Sequence, residues 1–188
     1  MKILVISDIH ENFDNLARVL EKIPELWVEM IFCLWDLING WIARMIASQE
    51  IPTHLVWWNN DGTRVAITKK FIEANNESTV SNECFDSCVV WWRKIFLTHY
   101  PLLARSIAKS WDYDAIFYGH DHFKYNENVE DCLLFNPWEI SAHKTGMCTF
   151  WVYDSGTNTA EFYEIENPSS VKTEISDNFI KNLRLKKS

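Results

Sequence analysis

Ile116-Phe117-Tyr118-Gly119-His120-Asp121-His122 reads as a buried strand that runs out into a polar loop. Two imidazoles one residue apart, just past a strand end, reach one small volume. Imidazole suits transition metals such as Zn, Mn, Fe and Ni. The chain opens on a near-mirror of this stretch, Ile3-Leu4-Val5-Ile6-Ser7-Asp8-Ile9-His10. Four apolar residues and a serine predict a strand, and Asp8 and His10 follow at the same one-apart spacing. Two strand ends that each offer a pair of ligands point to a metal-dependent enzyme.

The rest of the first half alternates strand and helix. Residues 2–7 are apolar almost throughout, as expected of a central strand covered on both faces. Asn12 or Asp14 is placed to cap a helix over about 14–24, with Leu16, Val19, Leu20 and Ile23 at helical spacing. Residues 30–34 predict a second strand ending at Trp35-Asp36. A short helix over 42–49 is broken by Pro52. Residues 54–57 predict a third strand, ending at Trp58-Asn59-Asn60-Asp61, and 63–74 an amphipathic helix. Each strand thus has polar candidates at its C-terminal end, the edge where open α/β sheets bind ligands.

The second half has less helix. Residues 84–90 and 94–97 read as strands joined at Trp91-Trp92, the second ending at Thr98-His99. A helix over 102–110 follows Pro101, as helix starts often follow proline. Residues 132–135, 148–153 and 160–165 are further strands. This pattern predicts a second, more antiparallel sheet, and so a sandwich of two sheets with helices outside. A single domain over 1–166 is expected, followed by a polar tail over 167–188 with a short helix around 176–184.

The bulk composition narrows the function classes. A net charge of -8 argues against a broad nucleic-acid or anionic-membrane surface. No apolar stretch approaches the length of a membrane span, and the short N-terminal apolar run does not read as a signal peptide. The five cysteines are odd in number and form no C-x-x-C pair, which reads as reduced thiols in a cytoplasmic protein. A homo-oligomer is compatible with all of this.

Asp8, His10, Asp36, Asn59, His99, His120 and His122 all lie at ends of predicted strands. Imidazoles, two carboxylates and an amide can hold two divalent ions if one carboxylate bridges them. Mixed oxygen and imidazole donors favour Mn, Fe, Ni or Zn over Ca. Two ions about 4 Å apart generate hydroxide near neutral pH and clamp a phosphoryl group.

The order Asp8-x-His10, Asp36, Asn59, His99, Gly119-His120-x-His122 resembles the calcineurin-like metallophosphoesterase superfamily, in particular its small bacterial and archaeal phosphodiesterase branch. Asn136-Pro137-x-Glu139 is similar to that branch's late Asn-Pro-Gly-Ser block. The resemblance covers about residues 1–165. It implies an α/β fold, a four-layer αββα sandwich of two mixed β-sheets flanked by helices. It implies that Asp8, His10, Asp36 and His122 hold one metal, and Asp36, Asn59, His99 and His120 the other, with Asp36 bridging. Asp36, Asn59 and His99 are then the residues nearest the chemistry. The implied cofactors are two divalent transition-metal ions, Mn first, with Ni, Fe or Zn as alternatives. The implied reaction is hydrolysis of a small phosphate-ester substrate, a diester, by in-line attack of a metal-bridging hydroxide. A phosphomonoesterase or nucleotidase is one alternative. A non-catalytic scaffold, as in the retromer subunit of the superfamily, is another.

The sequence departs from the family pattern in a systematic way. Motif glycines are replaced by Trp35, Trp58 and Trp138, and further tryptophans (Trp41, Trp57, Trp91, Trp92) fall where turns want glycine. There are 10 Trp and 5 Gly, against roughly 13 Gly at average usage of about 7%. We read most of these tryptophans as standing for glycine, as UGA codons read as glycine in the source organism would produce; the alternative is an aromatic pocket of genuine tryptophans. Asn60 stands where larger phosphatases of the superfamily carry a proton-donating His. Asparagine supplies no such proton, which argues against a protein Ser/Thr phosphatase and favours good leaving groups or a proton from water. Glu11 also stands where many relatives have Gly. Among the remaining polar residues, His143, Lys144 and Asn12 are candidate phosphate contacts and Asn39 and Tyr100 candidate cleft residues, while His54 reads as structural.

Overall fold

A computed structural model of the chain describes residues 1–34, 36, 37, 39–57 and 62–171. Trp35, Ile38, residues 58–61 and residues 172–188 lie outside the described residues, and with them Asn59, Asn60 and the helix expected around 176–184.

The first sheet begins with β1 (Lys2–Ile6), which pairs in parallel with β2 (Met30–Cys33), then β3 (Thr53–Leu55) and the two-residue β4 (Thr79–Val80). Helices α1 (Phe13–Leu20), α2 (Ile23–Leu26), α3 (Gly40–Ala47) and α4 (Arg64–Ala74) connect these strands. The helix expected over 14–24 is divided: α1 stops at Leu20, and α2 restarts with Pro24 in its first turn, where the missing N–H is harmless.

The second sheet starts with the hairpin β5 (Phe85–Val90) and β6 (Arg93–Thr98). Helix α5 (Pro101–Ile107) carries the chain to β7 (Ala115–Phe117), parallel to β6, and β9 (Cys132–Asn136) runs parallel to β7. The edge strand β8 (Tyr125–Val129) pairs antiparallel with β9. The pattern of residues 125–129, Tyr-Asn-Glu-Asn-Val, has almost no apolar face, so periodicity does not reveal it.

The last two strands correct the expectation of a second sheet made from the whole second half. β10 (Cys148–Asp154) returns to the first sheet antiparallel to β1, and β11 (Thr159–Ile165) pairs with β10. The sheet orders are β11-β10-β1-β2-β3-β4 and β5-β6-β7-β9-β8. β1 therefore has a partner on each side and is buried on both faces.

Side-chain alternation divides the core into layers. Ile3 and Val5 of β1 face the second sheet, where they meet Phe32, Leu97, Phe117, Phe135 and Tyr153. Leu4 and Ile6 point the other way, into a cluster with Leu16, Val19, Ile42, Ile46, Ile67 and Phe71 from α1, α3 and α4. On the far side of the second sheet, Ala104 and Ala108 cover Phe96, Ile116, Tyr118 and Leu134. Helices, sheet, sheet and helix form the four-layer αββα sandwich.

Beyond β11, the chain lies along α1. Ser169 donates its N–H to Asn15 Oδ1 (2.9 Å), and its carbonyl accepts from Asn12 Nδ2 (2.7 Å) and Asn15 Nδ2 (2.8 Å). Arg18 donates to the carbonyls of Glu166 and Asn167.

The backbone bears on the tryptophans. Trp27, Trp91, Trp111 and Trp138 have φ of 58°, 59°, 63° and 76°, the left-handed region that favours glycine. Trp27 is the C-cap of α2, with its N–H turned back to Ile23 and Pro24, a position glycine usually fills. Trp91 opens the two-residue loop between β5 and β6 with φ positive, as the first central residue of a type II′ turn requires. Trp27, Trp91 and Trp111 are also largely exposed, so their indoles add little burial. Trp151 differs: it sits inside β10, 2% exposed, stacked on Phe135 at 5.2 Å.

Changing Trp27, Trp91 or Trp111 to Gly is therefore expected to stabilise the fold, by about 1 kcal/mol each from relief of the left-handed backbone. Trp151→Gly should instead destabilise it by about 3–5 kcal/mol through the cavity it leaves. Urea denaturation midpoints of the four single variants check both signs.

Candidate metal centre

Five strand ends converge on one edge of the sandwich. β1 delivers Ser7, Asp8 and His10; β2 delivers Asp36; β6 delivers His99; β7 delivers Gly119, His120 and His122; and β9 delivers Asn136 and Glu139. Asn59, expected after β3, lies outside the described residues.

The chain turns sharply to aim these side chains. Asp8, His10, Asp36, His120 and His122 have φ of 52°, 45°, 49°, 82° and 57°. Five of the six described candidates thus adopt a backbone that L-residues avoid. Such strain persists only where the surrounding structure over-determines it, and it concentrates at functional sites.

Asp8 sits at the centre with no solvent exposure. Its Oδ2 accepts from Ser7 Oγ at 2.6 Å and from the backbone N–H of His120 at 3.4 Å. Its Oδ1 is buried and accepts no hydrogen bond from the described residues, and His122 Nε2 and His10 Nε2 lie 3.2 and 3.7 Å from it. His10 Nε2 also lies 3.4 Å from Asp36 Oδ2, and the His10 N–H donates to the Asp36 carbonyl at 3.0 Å. The His10 and His122 rings stack at 5.4 Å. On the other side, His120 Nδ1 and His99 Nε2 are 2.9 Å apart.

These contacts define two donor groups, Asp8 with His10 and His122, and Asp8 with Asp36 and His99. Within each, the ligand atoms lie within 4.8 Å of one another. Asp8 belongs to both groups, and Asp36 reaches from the second toward His10 of the first. An oxygen and nitrogen set this close, with a buried carboxylate oxygen that no N–H or O–H among the described residues satisfies, has the chemistry of a site for divalent transition-metal ions.

The electrostatics agree. Burial alone would raise the Asp8 carboxyl, but the imidazoles and Ser7 outweigh it and hold Asp8 below the usual carboxylate range. Burial depresses His10, yet the Asp8 and Asp36 carboxylates prevail and raise it above the usual 6.5. His99 falls to about 3, chiefly through burial, so it remains a neutral donor at any physiological pH.

Gly119 is required by space. A Cβ there would collide with Ser7 Oγ and approach Asp8 Oδ2 to 3.1 Å and His99 Nδ1 to 3.2 Å. The glycine lets β7 run its ligand loop directly over the end of β1.

The block after β9 holds both ligand loops together. Ile140 and Ser141 donate their N–H groups to the carbonyls of Ser7 and Asp8 (3.1 and 3.0 Å). Asn136 Nδ2 donates to Asp121 Oδ1 at 2.6 Å and to the Gly119 carbonyl at 3.3 Å. Glu139, fully buried, accepts from His122 Nδ1 at 2.8 Å.

Asn12, expected as a helix cap and a candidate phosphate contact, and Asn39, a candidate cleft residue, both serve the scaffold. Asn12 is buried, its amide donating to the Ser141 and Ser169 carbonyls while its Oδ1 caps α1 by accepting from the Asn15 N–H. It has no donor left for a phosphate. Asn39 caps α3 through Oδ1 and donates to Glu11 Oε1 at 2.7 Å. Helix capping, which an Asn at a helix start signals, accounts for both. His54 is structural as expected: it lies in β3 with its ring against Thr79 Oγ1 and Asp86. Tyr100 stands at the N-cap of α5, partly exposed, and His143 is exposed.

The model of the calcineurin-like phosphoesterase superfamily domain matches residues 1–158. The phosphodiesterase MJ0936 of Methanocaldococcus jannaschii is 28% identical over 167 residues, spanning 88% of this chain and 98% of that protein. The Escherichia coli phosphodiesterase YfcE is 24% identical over 155 residues, 78% of this chain and 83% of that protein. A solved structure described as a novel archaeal phosphodiesterase superposes with a TM-score of 0.82 at 26% identity, covering 88% of this chain and all of that one. With the fold, the ordered ligand blocks and a family match over most of its length in agreement, the chain belongs to the calcineurin-like phosphoesterase superfamily.

Proposed function

We propose that the chain is a metal-dependent phosphodiesterase that hydrolyses a small phosphate diester at a two-metal centre. The observation that carries this reading is the pair of donor groups sharing Asp8, each with its ligand atoms within 4.8 Å. The relatives named as phosphodiesterases support the choice of diester.

In this reading Asp8, His10 and His122 hold one ion, and Asp36, His99 and His120 the other with Asn59. Asp36 would serve both ions, and Asp8 belongs to both donor groups. Divalent ions held there supply charge at the phosphoryl oxygens and a nucleophile from water at neutral pH, the chemistry of in-line displacement at phosphorus. The protein's own part is to fix the donors. Ser7 and the His120 N–H orient Asp8, the late block orients His122, and burial keeps His99 neutral. The expected metal is manganese, with nickel, iron or zinc also suited to this donor set. Asp36, Asn59 and His99 are the residues we assign nearest the reacting phosphate. Asn60 offers no proton to the leaving group, so diesters of acidic alcohols should turn over fastest.

The test is manganese-dependent hydrolysis of bis-p-nitrophenyl phosphate beside p-nitrophenyl phosphate. The expected result is faster turnover of the diester. Asp8→Asn should reduce it by more than about 100-fold, because losses of outer-shell partners alone reach that size. Preference for the monoester would favour a phosphatase, and bound metal without turnover of either would favour a scaffold.

Metal binding should also depend on pH in a defined direction. A proton on His10 Nε2 competes with a cation, and His10 is raised above 6.5. Affinity should therefore begin to fall above pH 6.5 and continue to fall as pH drops. His10→Gln should bind more weakly at pH 8 and show a flatter dependence; calorimetric titrations with manganese between pH 6 and 8 check this.

A further inference from the structure

Glu139 is a carboxylate with no solvent exposure, and among the described residues no group of opposite fixed charge pairs with it. Its Oε2 accepts from His122 Nδ1 at 2.8 Å and from Ser141 Oγ at 2.7 Å. Its Oε1 accepts from the Thr145 N–H and Thr145 Oγ1, both at 2.7 Å, and from the Lys144 N–H at 3.0 Å. Residues 141–145 thus wrap the carboxylate, leaving one direction of contact toward the ligand loop. An ionised carboxylate only accepts hydrogen bonds, so the His122 nitrogen facing it must carry a proton. The other nitrogen, Nε2, points at Asp8 Oδ1, 3.2 Å away.

We propose that Glu139 is a positioning residue for the metal centre: it fixes the ring and tautomer of His122 so that Nε2 is the nitrogen presented to the ion beside Asp8. The inference rests on the metal-centre reading above and adds to it the residue that selects the ligating atom. A carboxylate behind a metal-bound imidazole orients the ring and raises its basicity, and losing such a partner typically costs about 10–100-fold in metal affinity. Glu139 acts from the same segment whose N–H groups hold Ser7 and Asp8. One loop therefore sets both the carboxylate and the imidazole of the first donor group.

Glu139→Gln tests this with near-identical volume. Its amide presents an N–H2 group as well as a carbonyl, so the carboxylate's two acceptor oxygens are no longer both available to His122, Ser141 and Thr145. Zinc, which is diamagnetic, is used as the probe. Long-range proton–nitrogen NMR of the zinc-loaded wild-type chain should show His122 with Nδ1 protonated and Nε2 on the metal. In the variant the His122 Nδ1 proton should lose its carboxylate partner and shift upfield, and zinc should bind about 10–100-fold more weakly by calorimetry. Zinc on Nδ1 of His122 in the wild type would overturn the proposal without any variant. So would a folded Glu139→Gln protein with unchanged affinity and an unchanged His122 spectrum. A wild-type chain that bound no zinc would instead remove the metal-centre reading itself, and the proposal with it.

Discussion

The buried carboxylate of Asp8 is the constraint on which the site depends. It follows β1, a strand with a neighbour on each side and packed layers above and below. Removing a carboxylate from water carries a penalty of several kcal/mol even after relaxation. Ser7, the His120 N–H and the imidazoles of His10 and His122 offset that penalty in part. Ser7 and His10 come from the loop after β1 and His120 and His122 from the loop after β7, so satisfying one carboxylate obliges the two loops to meet. A divalent cation held by these residues would complete the compensation.

The same constraint explains the backbone. Left-handed conformations at five candidate ligands cost on the order of 1–3 kcal/mol each, more than a small domain would tolerate without strong anchoring. The anchoring is the sandwich itself. Every ligand loop begins at the end of a strand whose side chains are packed between layers, and the block over residues 136–141 ties the β1 and β7 loops by direct hydrogen bonds. Gly119 shows how little slack remains, because even a methyl group there would press on Ser7, Asp8 and His99.

Much of this was legible from residue order. An apolar run ending in Asp-x-His, and another in Gly-His-x-His, states both the strand and the ligand pair, because strand periodicity and metal chemistry are local. What was not legible is what depends on pairing across the chain. β8 carries almost no apolar residues, so only its partner β9 makes it a strand. The return of β10 to β1 leaves no local mark, since a strand buried on both faces reads alike in either sheet. Residue order marks Asn12 as a cap of the first helix, as it is, but only the hydrogen-bond partners show that it also clamps the Ser141 and Ser169 segments and that Asn39 caps α3. The role of Glu139 requires seeing it behind His122, although its place in an Asn-Pro-x-Glu block near the end of the domain was a usable signal. The tryptophans are a reverse case: sequence raised the question, and the left-handed backbone at Trp27, Trp91, Trp111 and Trp138 sharpens it.

The most direct measurement is the number and coupling of manganese ions bound per chain, by native mass spectrometry and electron paramagnetic resonance on the same sample. The account predicts two ions per folded chain with the spin coupling of a pair sharing a carboxylate. A folded chain that binds no manganese, or binds single uncoupled ions that survive Asp8→Asn, would contradict it.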